Sequence, residues 1–192
     1  YRTYVNEYPE LFKDEITSKE TNEQKLMNYI LRDIFNYDKI ISNKETGIAY
    51  EILSSLGVKV CPYCNRQYIQ TAINGNKKIT RADIDHFYPK TIYPMFALSI
   101  FNFIPSCGTC NKLKSSKSFT LNSNLYPYEE GVEEFRIFSY EIPDYSIKIE
   151  RNIEDTQYKK FLKNVNELNL EEIYNSGHQD EVKRIVNRKK SF

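Results

Sequence analysis

Four cysteines stand as two C-x-x-C pairs, Cys61-Pro-Tyr-Cys64 and Cys107-Gly-Thr-Cys110. In a chain without secretory features, thiols spaced this way read as a metal site before they read as disulfides. Zinc takes four tetrahedral ligands, and a closed shell of four thiolates leaves no position for water. The expected ion is therefore a structural Zn2+ whose binding contributes to folding. The other readings of the quartet are reduced core thiols or a redox pair. The 42 residues between the pairs exceed the span of a short zinc ribbon and leave room for a hairpin and a functional loop.

Inside that span lie Asp83, the dipeptide Asp85-His86, Pro89-Lys90 and Asn102, and the second pair runs directly into Asn111-Lys112-Leu113-Lys114. Hydrolysis of a phosphodiester needs a base to activate water and a cation to neutralise developing charge. An adjacent carboxylate and imidazole at a strand end supply the protein's share of both. A hard cation such as Mg2+ or Mn2+ keeps several waters and needs few oxygen ligands, so one carboxylate and one amide oxygen suffice. Taken singly, each residue has an ordinary reading. His86 suits a structural histidine, Asp85 a turn cap, and Asp83 a structural or solvent-facing acid. Asn102 and Asn111 suit loop or capping roles, and Lys112, Lys114 and Lys117 the wet face of a helix. Their combination within one thiolate-stapled segment is what points to chemistry.

On these residues the chain resembles the HNH endonucleases of the ββα-metal superfamily, in the variety braced by two C-x-x-C zinc pairs. The resemblance covers about residues 59–118 and rests on the two cysteine pairs, Asp85-His86, Pro89-Lys90, Asn102 and Asn111-Lys112. It implies His86 as general base, Asp85 and Asn111 as ligands of a catalytic Mg2+ or Mn2+, and Asn102 as the residue orienting the histidine and its loop. Asn111 stands where the family name has its third histidine, a substitution that bears on metal preference. The resemblance further implies nucleic acid as substrate, DNA ahead of RNA, and a bacterial anti-phage defence setting with an ATPase or other partner protein. Arg66, Lys90, Lys112 and Lys114 are the candidate phosphate contacts. The alternative is a zinc-braced module that binds nucleic acid or protein without cutting.

The elements that must position these residues are legible from periodicity. Leu26, Met27, Ile30, Leu31, Ile34 and Phe35 recur at helical spacing and predict one buried helix face, with Thr21 and Gln24 at capping-box distance. A second helix is expected over about 46–56, ended by Gly57. Asn74-Gly75 predicts a hairpin between 66–73 and 77–85. An extended stretch over 101–105 then leads to a helix from about Gly108 to Lys117. A second hairpin, 135–141 with 145–150, precedes helices over about 155–166 and 179–190. The latter is expected to turn Val182, Ile185 and Val186 inward and to begin near His178. The fold class is α+β: a helical scaffold over 1–58, a nuclease core over 59–118, and a hairpin with helices over 119–192, read together as one compact domain.

Composition sharpens this. The net charge is only +1, yet 59–118 carries nine basic and two acidic side chains, and a local excess of +7 suits phosphate binding. Hydrophobic residues at 40% supply a core, and no run approaches the roughly 18 apolar residues of a membrane span. The expectation is a soluble, cytoplasmic chain. Sixteen tyrosines and eleven phenylalanines, with no tryptophan, assign the aromatic residues chiefly to the core.

Overall fold

The computed structural model describes residues 22–43 and 45–189. It divides at Thr120/Leu121 into two compact units. Over the described residues the chain is α+β. Among the described residues no helix is long and apolar enough to cross a membrane.

The first unit opens with helices α1 (Asn22–Ile34), α2 (Tyr37–Ile40) and α3 (Ile48–Leu56). The helical spacing of α1 is real, but the face it predicts is not buried: Leu26 is 61% exposed and Ile34 60%, with Met27 and Ile30 also exposed. Periodicity specifies a stripe; it does not specify that anything covers it. Thr21 of the expected capping box lies outside the described residues. Helix α3 ends as its sequence requires, with Gly57 at φ 64° and its N–H on the Leu53 carbonyl, a left-handed cap that a residue with a Cβ resists.

Strands β1 (Ala72–Asn74) and β2 (Lys77–Thr80) form the expected hairpin. Its two-residue turn is Gly75-Asn76, one position later than the Asn-Gly signal suggests. Only Gly75 has positive φ (57°), as in a II′ rather than a I′ turn. The expected strand over 77–85 is in fact two strands in two sheets. It breaks at Arg81-Ala82, after which β3 (Asp83–His86) pairs antiparallel with β4 (Phe103–Ser106). The register sets Asp83 against Ser106, Asp85 against Ile104 and His86 against Phe103. Two 3-10 turns, Pro94–Phe96 and Ile100–Asn102, occupy the connection, and helix α4 (Gly108–Lys114) follows β4 at once. β3, β4 and α4 make the ββα unit. Its core is aromatic, with Phe87 and Phe119 edge to face at 5.9 Å and both wholly buried.

In the second unit β5 (Phe138–Tyr140) pairs antiparallel with β6 (Ile147–Ile149). Helix α5 (Thr156–Glu167) is N-capped by Asp155, whose side chain accepts from the Tyr158 N–H. Helix α6 runs unbroken from Leu170 to Lys189, so His178 sits mid-helix rather than at a helix start, and Ile185 is exposed rather than inward. Gly177 lies inside the helix, although glycine there costs about 1 kcal/mol relative to alanine. Two residues before it, Asn175 accepts from the Ile147 N–H (2.6 Å) and donates to its carbonyl (2.8 Å), satisfying β6 from α6.

Candidate functional site

The two cysteine pairs meet. Cys61, Cys64, Cys107 and Cys110 are all buried, and their Sγ atoms lie within 4.8 Å of one another. Four sulfurs at zinc distance span tetrahedron edges of about 3.8 Å, so the cluster can hold a metal ion, and a set of soft thiolates suits zinc. The first pair sits in a tight turn closed by Asn65 N–H on the Cys61 carbonyl (2.7 Å) and by Cys61 N–H on the Gln67 carbonyl (2.9 Å). The second sits at the start of α4, where Cys107 is the N-cap and its Sγ accepts from the Cys110 N–H at 3.4 Å. Hydrogen bonding among the thiols drives their proton affinities apart. Cys107 is lowered to about 7 by Cys110 and Cys64 is lowered by Cys107, while Cys107 raises both Cys61 and Cys110.

The cysteine cluster joins the Cys61–Cys64 turn to the start of α4, α4 packs on β3, and two periodicities then mesh. Alternate strand residues share a face, as do helix residues three apart. Asn111 and Lys114 of α4 therefore meet Asp83 and Asp85 of β3 in order. Asn111 Nδ2 donates to Asp83 Oδ2 (3.2 Å). Lys114 Nζ lies 3.3 Å from Asp85 Oδ1 and 3.1 Å from Oδ2, and it also donates to the His86 carbonyl (2.6 Å).

A surface role for Lys114 in phosphate binding is thereby corrected. Its side chain has no exposure, and its charge is committed to Asp85. Asp83, expected to be structural or solvent-facing, is half-buried and is the carboxylate that Asn111 bonds. Burial raises the Asp85 carboxyl above its ordinary value, and Lys114, then Tyr63, offset part of that rise.

His86 closes β3. Its Nε2 lies 3.0 Å from the Ala97 carbonyl. A carbonyl only accepts, so Nε2 carries the hydrogen and Nδ1 keeps its lone pair, the tautomer a base requires. Tyr37 and Phe103 pack on the ring edge to face, at centroid distances of 4.5 and 5.3 Å. Burial lowers the histidine to about 4, against a smaller upward pull from the Ala97 bond. The imidazole is therefore neutral at pH 7.

Asn102, 1% exposed, holds the loop beyond His86. Its Oδ1 accepts from the Tyr88 N–H (2.7 Å), and its Nδ2 donates to the carbonyls of Tyr88 (3.0 Å) and Phe96 (3.1 Å). Asn102 and His86 make no direct hydrogen bond; they share the turn between β3 and Ala97.

Asp85, His86 and Asn111 line one cavity of about 310 Å³, together with Tyr37, Lys90 and Ser115. Lys90 is half-buried there, paired with Asp38 at 2.8 Å and set over the Tyr37 ring at 4.6 Å. Lys112 is exposed on α4. Arg66 does not line this cavity, and its Nε is buried without a hydrogen-bond partner.

Two contributors escaped the sequence reading. Tyr37 comes from the helical scaffold, where no motif marks it. Tyr63, inside the first cysteine pair, donates its hydroxyl to Asp85 Oδ2 at 2.7 Å; its place in the metal turn was the available signal. No family model, curated protein or solved structure matches the chain. The architecture, a ββα unit beside a buried four-cysteine cluster, is consistent with a ββα-metal-like fold.

Proposed function

We propose that the chain is a zinc-braced, divalent-cation-dependent endonuclease of the HNH type, hydrolysing phosphodiester bonds in nucleic acid, DNA ahead of RNA. The observation that carries this reading is the convergence of Asp85, His86 and Asn111 on one cavity. The donor set fits a hard cation. An ionised carboxylate offers about four lone-pair sites, which Asp85 would share between Tyr63, Lys114 and the cation, and Asn111 would add an amide oxygen. Asp85 and Asn111 would hold a Mg2+ or Mn2+ ion, whose chemistry there would be neutralisation of charge on the phosphate and the departing oxygen. His86 takes the proton of the attacking water at Nδ1. Asn102 keeps the histidine loop in place, and Asp83 restrains the Asn111 amide. Lys90 and Lys112 are the phosphate-attracting cations in this reading, with Arg66 a more distant one. By the same resemblance, the setting we propose is a bacterial cytoplasmic defence system with an ATPase partner.

The test is cleavage of supercoiled plasmid and of structured RNA, with and without Mg2+, by wild type and His86→Ala. General-base catalysis is worth roughly 10²–10⁴ in rate, and a loss of that size with zinc content unchanged is expected. If wild type and variant behave alike while both retain nucleic acid, the non-cleaving binding module takes this reading's place.

A further inference from the structure

The Asp85 carboxylate is held by two arms, and each arm comes from one of the cysteine pairs. Tyr63 lies between Cys61 and Cys64, in the turn closed on the Cys61 carbonyl and on Gln67. Its ring is buried and packs edge to face on Phe119 at 6.0 Å, and its hydroxyl reaches Asp85 Oδ2 at 2.7 Å. Lys114 lies one helical turn beyond Cys110, on the same side of α4, and reaches both oxygens of the same carboxylate. A phenol that needed only a partner could have taken a backbone carbonyl, as Tyr158 does with Glu150 in the second unit. Tyr63 is instead spent on a carboxylate that lines the cavity.

Building on the endonuclease reading, we infer that Tyr63 is a positioning residue that ties the four-thiolate centre to the cleft: its hydroxyl, set by the first cysteine turn, fixes the Asp85 carboxylate in the orientation that receives the divalent cation. The thiolate-bound metal then governs cation affinity in the cleft as well as the fold. Partners that orient a metal ligand typically change affinity by about 10–100-fold when removed, and the Tyr63 hydroxyl falls in that class.

The experiment uses the full chain carrying one zinc, titrated with Mn2+, with free Mn2+ read by electron paramagnetic resonance. Wild type is compared with Tyr63→Phe, which removes only the hydroxyl, and with Ile69→Ala. Ile69 is buried, and its N–H bonds the Lys59 carbonyl on the chain entering the same turn; shortening its side chain removes apolar volume and no hydrogen bond. Tyr63→Phe should keep one zinc per chain and raise half-saturating Mn2+ by about tenfold. Its cleavage rate should recover towards wild type once Mn2+ is saturating, because the defect lies in cation binding. Ile69→Ala should lower the melting temperature and leave Mn2+ affinity unchanged. Wild-type Mn2+ affinity in Tyr63→Phe, an equal shift in Ile69→Ala, or loss of zinc from Tyr63→Phe would each overturn the inference. A wild-type chain that neither binds Mn2+ nor cleaves would reject the endonuclease reading itself.

Discussion

Each compact unit buries polar side chains, and the two sets are used differently. In the second unit Asn124 donates to Asn164 Oδ1 (2.9 Å) and to Glu167 (3.2 Å), while Asn164 donates to the Leu125 carbonyl (3.1 Å). These bonds tie the chain before β5 to α5. In the first unit Asp85, His86, Asn102 and Lys114 are just as buried, yet Asp85 and His86 also line a cavity together with the half-buried Asn111. Burial of polar groups alone marks a structural network; burial beside an open volume that a carboxylate, an amide and a neutral imidazole share marks the candidate site. The difference also shows in charge, since the first set contains a buried ion pair and the second is built mainly on amides.

The contrast breaks most severely at the cysteines. Structural zinc in small sites contributes apparent free energies of about 10–16 kcal/mol at pH 7. Chelation should therefore abolish hydrogen-exchange protection in β3, β4 and α4 while α5 and α6 keep theirs. Equal loss in both units would remove the distinction. Next is Lys114→Met. It strands a buried carboxylate, and breaking such a pair costs about 3–5 kcal/mol, measurable by urea denaturation. Adding Asp85→Asn should recover part of that loss. Asn164→Ala is expected to cost about 1–3 kcal/mol by leaving Asn124 and the Leu125 carbonyl short of partners, with cleavage unchanged; a loss of cleavage there would mean the second network is not merely structural. The smallest effect concerns pH. Because burial lowers His86 to about 4, the base stays neutral on acidification through the ordinary histidine range near 6.5. The imidazole's own titration, followed by its ring-proton NMR shifts, should have its midpoint near pH 4; a midpoint near 6.5 would place the imidazole in water.

What the sequence disclosed, and what it hid, follows from the range of the forces involved. The cysteine quartet, the Gly57 cap and the Asn74-Gly75 hairpin are local signals, and each appears in the fold within a residue or two. The division of 77–85 between two sheets was hidden because strand propensity carries no partner: Lys77–Thr80 pairs with β1, while Asp83–His86 pairs with Phe103–Ser106. Lys114 read as a surface cation because its partner lies 29 positions away and only the packing of α4 on β3 joins them. The stripe of α1 was correctly periodic and wrongly assigned to the core, since amphipathicity describes one surface of a contact. The start expected near His178 falls inside α6, which runs through Gly177 from Leu170.

On our proposal, a metal held by the four thiolates folds the central segment so that a carboxylate, an amide and an imidazole face one ion. Crystals of the full chain grown with Mn2+ and examined by anomalous scattering at the zinc and manganese edges test it most directly. Two sites are expected: zinc among Cys61, Cys64, Cys107 and Cys110, and manganese between Asp85 and Asn111 in the cavity lined by His86. A map with zinc alone, or with manganese bound away from that cavity, would contradict the account.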